Sequence, residues 1–224
     1  MRRPRLTIHE QKGMSMQNLD EITERIRLSF DARTAARDQA LAQSRSLTRY
    51  CSNAIRAVHR EETPVAEQNL NEARSLVEAI QTGLAQYPDL YHAGYTQDAL
   101  KEYAEARIVY ALILGNGLPE PEDLGLEYAT YLKGLAESAG ELRRRCLDIL
   151  RHGYSDEAER LLSHMDDIYS VLVTMDYPDA ITGGLRRLTD IVRSINERTR
   201  GDMTLSLRQE HLEESLRRLQ DKLP

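Results

Sequence analysis

Four glutamates in two pairs offer this chain its clearest chemistry: Glu102 and Glu105, three residues apart, and Glu137 and Glu141, four apart. At helical spacing each pair projects to one side of its helix, so two helices packed with those sides facing bring four carboxylates into one space. An all-oxygen set suits a hard divalent cation, most simply Mg²⁺ or Mn²⁺. Such an ion lowers the pKa of a bound water and stabilises charge on a scissile phosphate. Spacing alone does not compel this chemistry, because glutamate pairs at these intervals are commonplace on helices. Salt bridges to arginine, those at 143–145 included, are the structural alternative.

A second constellation is basic. Arg45, Arg49, Arg56 and Arg60 fall at i, i+4, i+11 and i+15, roughly opposite Leu47, Cys51, Ile55 and Val58, with no acidic residue between Arg45 and Arg60. An unpaired stripe about 22 Å long matches phosphate neutralisation along a nucleic-acid backbone, whereas a merely solvated face ordinarily mixes both signs. Only four of the 30 basic residues are lysines, and arginine is the better bidentate phosphate ligand, although GC-rich coding produces the same bias. The net charge of −6 argues against indiscriminate coating of nucleic acid and leaves a local basic patch open.

Other chemistries lack their residues. The six histidines form no H-E-x-x-H and no zinc-spaced pair, and no Glu-x-x-His occurs for a di-metal bundle. There is no G-x-S-x-G, and the loop at Gly115-Asn116-Gly117 lacks the phosphate-cradling G-x-x-x-x-G-K-[ST] pattern.

The elements that must carry these residues are helical. Across 224 residues, one Phe, no Trp and few Val, Ile or Thr runs leave little strand signal, and 41% hydrophobic with 29% charged residues is ordinary for a globular chain. We expect an all-α fold in one domain over residues 16–224, preceded by a disordered tail at 1–15. Apolar spacing predicts a first helix from about Leu19 to Glu61, too long for a compact bundle element. A helix restarts at Thr63-Pro64 and runs to Tyr87-Pro88. A helix from about Thr96 to Leu114 is apolar on most sides beyond Glu105. The helix over 127–151 carries an apolar stripe including Tyr128, Leu135, Leu142 and Cys146. Glu137 and Glu141 lie nearly opposite, beside Gly134 and Gly140, which no packing pattern requires. A helix follows Ser155, and a last long one starts near Ala180 with Ile181, Leu185, Leu188, Ile191, Val192 and Ile195 inward. Its outer ladder of Arg186, Asp190, Arg193, Glu197 and Arg200 reads as structural.

Cys51 and Cys146 sit on apolar stripes without a pairing motif, so buried free thiols in a reducing cytoplasm are expected. The longest apolar run, Ile108 to Leu114, is too short to span a bilayer, and the N-terminus lacks the apolar core of a secretory signal.

The sequence resembles the translin and TRAX family, most closely its archaeal and bacterial single-gene branch. The resemblance is carried by MDYPDAITGGLRRLTDIVRSINERTRGDMT at Met175–Thr204, YLKGLAESAGELRRRC at Tyr131–Cys146, KEYAEA at Lys101–Ala106 and AVHRE at Ala57–Glu61, in matching order over about Leu19 to Thr204. It implies a seven-helix all-α subunit with long first and last helices. It further implies closed, hollow homo-oligomers, hexamer to octamer, engaging single-stranded RNA or DNA inside. In TRAX, a Q-E-Y-x-E-A segment and an A-D-x-x-G-E-L segment bind metal for endoribonuclease activity. They match Glu102 and Glu105, and Glu137 and Glu141, as metal ligands and catalytic residues. The Asp of the second segment is Glu137 here, one methylene longer. By this reading Arg45, Arg49, Arg56 and Arg60 hold phosphates along the same path. The alternatives are a translin-like binding oligomer without catalysis and a helical scaffold with no nucleic-acid role.

Overall fold

The computed structural model of the chain describes residues 8–221. These residues are all-α, as the scarcity of strand formers predicts, with long first and last helices. Six long helices are joined by loops and three single turns: α1 (Ile8–His59), α2 (Thr63–Leu84), α3 (Pro88–Tyr91), α4 (Gly94–Leu114), α5 (Pro121–Leu124), α6 (Tyr128–Leu150), α7 (Asp156–Thr174), α8 (Asp179–Thr182) and α9 (Leu185–Gln220). Of the tail expected at 1–15, residues 1–7 lie outside the described residues. α1 begins at Ile8, well before the first apolar repeat near Leu19, since Gly13 alone is too weak a breaker to stop a helix.

Packing follows the order α2, α1, α4, α6, with α7 and α9 closing the far side of α6. α1 packs against the core from Ala36 and is buried from Ala40 onward, through Leu47, Cys51, Ala54, Ile55 and Val58. The central α4 is buried on most of its surface, including Tyr103, Ala104, Ile108 and Val109, as its unbroken apolar run requires. Both cysteines are buried and unpaired. Ser155 caps α7 by accepting from the Ala158 N–H, and Asp156, Glu157 and Glu159 complement the dipole of its first turn.

Two expectations fail at the last helix. The segment starting near Ala180 is only the turn α8, because Gly183 and Gly184 both adopt left-handed φ (59° and 89°) and break the chain before α9 starts at Leu185. Ile181 therefore falls off the inward face and is 65% exposed, and Ile191 is exposed too, although Leu185 and Val192 are buried as expected. The outer ladder is partly local: Arg193 pairs with Glu197 at 3.0 Å, whereas Arg200 reaches Asp166 on α7 and Arg186 reaches Asp176. Tyr128, counted with the packing stripe of α6, is 68% exposed and donates its hydroxyl to Glu122 at 2.7 Å. No helix among the described residues is long and apolar enough to cross a membrane.

Candidate metal centre and nucleic-acid interface

The α4–α6 crossing places the acidic residues, and Gly134 permits it. A Cβ at Gly134 would lie 2.5 Å from the Ala104 Cβ and 2.9 Å from both the Glu105 backbone nitrogen and the Lys101 carbonyl oxygen. The packing thus does require a glycine here, contrary to the pattern read from the sequence, because the helix backbones meet between Lys101 and Glu105. Gly140 has open space around its Cβ position and carries no such demand. With α6 held this close, Glu137, one turn beyond Gly134, is brought to Glu102 and Glu105.

One oxygen from each of Glu102, Glu105 and Glu137 lies within 4.8 Å of the others. Three half-buried carboxylates at that separation repel one another and favour either a proton or a cation between them. Burial first, then the charges of Glu102, Glu137 and Glu141, push the Glu105 carboxyl up to about 8, and Lys101 opposes them. An all-oxygen, partly desolvated donor set of this kind fits a hard divalent ion.

Glu141 is near enough to act on Glu105 but is turned to another partner. Its Oε2 lies 2.6 Å from His59 Nε2 and 3.6 Å from Arg144. The hydrogen bond from His59 holds the Glu141 carboxyl below its ordinary range against the opposing effect of burial. The His59 side chain is only 4% exposed, and its Nδ1 has no partner. The structure therefore gathers Glu102, Glu105 and Glu137 and sets Glu141 beside them in a pair with α1.

Sequence reasoning missed two of these neighbours, His59 and Lys101. Lys101 Nζ grips both oxygens of Glu137, at 2.7 and 2.9 Å, and lies 3.5 Å from Glu102. Glu102 and Glu137 thus pair with lysine rather than with the arginine expected as alternative, whereas Glu141 does meet an arginine, Arg144. Arg143 and Arg145 go elsewhere, to Asp202, Glu61 and Glu157. A signal for Lys101 was present: it is one of four lysines and stands where the Q-E-Y-x-E-A segment has Gln. It pairs with the other departure, Glu137, whose extra methylene lengthens its reach.

Arg45, Arg49, Arg56 and Arg60 are all exposed, and none is among the ion pairs of the described residues. Arg49 lies over the Tyr50 ring, 5.5 Å from its centroid. The stripe runs along α1 past the level of the carboxylates, since His59 contacts Glu141 near one end and Arg45 shares a groove with Glu102 near the other.

The fold is thus all-helical, with carboxylates gathered between two central helices beside an arginine stripe on α1. No protein-family model matches the chain. An uncharacterized protein of Methanocaldococcus jannaschii is 32% identical over 188 residues, 83% of this chain and 83% of that protein. The solved structure of AfC3PO in complex with duplex RNA is 32% identical with a TM-score of 0.75, covering 84% of this chain and 96% of that one. AfC3PO alone gives 31% identity and the same TM-score and coverage. Apo-NeC3PO, 22% identical with a TM-score of 0.71 over 91% of this chain and all of that one, supports the fold alone. The chain belongs to the translin family.

Proposed function

We propose that the chain is an RNA-binding protein that cleaves unpaired RNA with a divalent cation, Mg²⁺ or Mn²⁺, held by Glu102, Glu105 and Glu137. The observation that carries this reading is the convergence of three carboxylate oxygens within 4.8 Å beside the exposed arginines of α1. When bound, the ion supplies a water of lowered pKa and charge neutralisation at the scissile phosphate. The chain's own groups divide the rest. Arg45, Arg49, Arg56 and Arg60 hold backbone phosphates, and Glu141, kept ionised by His59, adds a fourth negative charge next to the cluster. The AfC3PO complex with duplex RNA supports RNA as the ligand class.

Assembly into a hollow homo-oligomer of six to eight copies is part of the proposal. An open apolar groove of about 430 Å³, lined by Tyr128, Leu132, Tyr177 and Ile181, supplies surface that a neighbouring subunit can cover. Lys101 favours a second reading, a binding shell without catalysis, because its ammonium already neutralises the carboxylates that a metal needs.

Labelled single-stranded and duplex RNA, incubated with the purified protein in Mg²⁺ and then in EDTA, separates the two. Cleavage of the single strand in Mg²⁺ is expected, none in EDTA, and a loss on the order of a hundredfold in Glu102→Gln and Glu137→Gln. Cleavage that persists in both variants sinks the enzyme. RNA retained in EDTA, released by salt and weakened by Arg49→Ala and Arg56→Ala, but never cut, leaves the binding shell.

A further inference from the structure

Lys101 stands inside the carboxylate cluster as a cation already in place. Its Nζ lies 2.7 and 2.9 Å from the two oxygens of Glu137 and 3.5 Å from Glu102, so one ammonium engages two of the three candidate ligands. The Lys101 side chain is only 16% exposed, and a lysine is seldom so covered unless its charge is answered. A divalent ion bonded at roughly 2.1 Å to the nearer Glu137 oxygen comes within about 5 Å of Nζ. Two cations that close in a half-buried site repel each other strongly and contend for the same oxygens. The ammonium and the metal therefore exclude one another, and the ammonium bars the ion only if it cannot leave.

Lys101 has the freedom to leave. Its backbone is fixed, because its carbonyl oxygen lies at the Gly134 crossing, but the ammonium rides on a flexible four-carbon stem. Asp98, three residues earlier on α4, is exposed, has no ion pair among the described residues and is close enough for its charge to act on Lys101. Rotating the stem toward Asp98 takes the ammonium out of the cluster without moving either helix. We propose that Lys101 is a resident counter-cation that a divalent ion must displace from Glu137 and Glu102, so that it sets the metal concentration at which the site fills. Without metal the ammonium ties α4 to α6 across the carboxylates. With metal the ion takes over that tie. The inference rests on the metal-dependent reading and adds its regulation, loading by exchange of one cation for another.

The test uses the full-length protein and Mn²⁺, with no RNA present. Calorimetric titration of wild type, Lys101→Met and Lys101→Arg sets loss of the charge against its retention. Lys101→Met is expected to bind Mn²⁺ about tenfold more tightly than wild type or better, and Lys101→Arg no more tightly. Lys101→Met should also melt below wild type in EDTA and gain more in melting temperature from saturating Mn²⁺. A second measurement follows the unaltered protein: with lysine labelled at Cε, its four lysines give four methylene signals, and Lys101→Arg assigns one of them. Saturating Mg²⁺ is expected to shift that signal more than the other three. Mn²⁺ bound equally or more weakly by Lys101→Met, or a Lys101 signal left in place while Mg²⁺ binds, overturns the displacement and leaves the metal-dependent reading standing. Tighter binding by Lys101→Arg as well overturns it too, since the gain then owes nothing to charge. No Mn²⁺ bound by any of the three proteins removes the metal-dependent reading itself, and the resident counter-cation with it.

Discussion

Burial and three neighbouring carboxylates move the Glu105 side chain from an ordinary 4.5 to about 8. An unfolded chain gives up this proton near 4.5 while the native protein keeps it to about 8. The native state therefore loses stability as pH rises through that window, and the loss is complete above it. Glu105→Gln removes the titration. Its melting temperature in EDTA should match wild type near pH 4 and exceed it by roughly 3 °C or more at pH 8.5. A variant that melts lower than wild type at pH 8.5 would mean that Glu105 is ionised and paired. The four glutamates were legible from spacing and motif, because helical periodicity alone decides which side they share. Lys101 and His59 were not, since the partner of a carboxylate depends on which helix crosses it and where.

At the scale of the element, the two glycines of α6 looked equivalent in sequence and are opposites in structure. Gly134→Ala forces a methyl group against Ala104 and the α4 backbone, so α4 and α6 must separate. An overpacking cost of about 1–3 kcal/mol outweighs the roughly 1 kcal/mol gained in helix propensity at its upper end. A fall in melting temperature of up to about 8 °C is expected, together with weaker Mn²⁺ binding by calorimetry as Glu137 moves from Glu105. Gly140→Ala meets no atom and should stabilise by about 0.5–1 kcal/mol. Equal effects at both positions would remove the close crossing as the device that gathers the carboxylates. Helix count and order were largely readable because Pro64, Pro88 and Ser155 punctuate the chain. The break at Gly183-Gly184 was missed because the apolar spacing runs through it, and only the backbone reveals two consecutive left-handed residues.

For the molecule as a whole, the all-α class followed from composition and periodicity, and the burial of α4 from its unbroken apolar run. Which helices touch was not readable that way, because an apolar stripe says that a face is covered and not by what. α1 illustrates the limit. Its periodicity continues well before Ala40, yet Leu19, Ile26 and Phe30 are exposed, and among the described side chains the first ion pair from α1 to the body is Arg33 with Asp89 on α3. Residues 18–32, exposed but for Ile22, thus extend about 22 Å past that contact at 1.5 Å per residue. A particle with such a projecting arm diffuses more slowly than a sphere of equal mass. On a sizing column calibrated with compact standards it elutes early and inflates the apparent subunit number, so copies are to be counted by light scattering or sedimentation equilibrium, which weigh the particle whatever its outline.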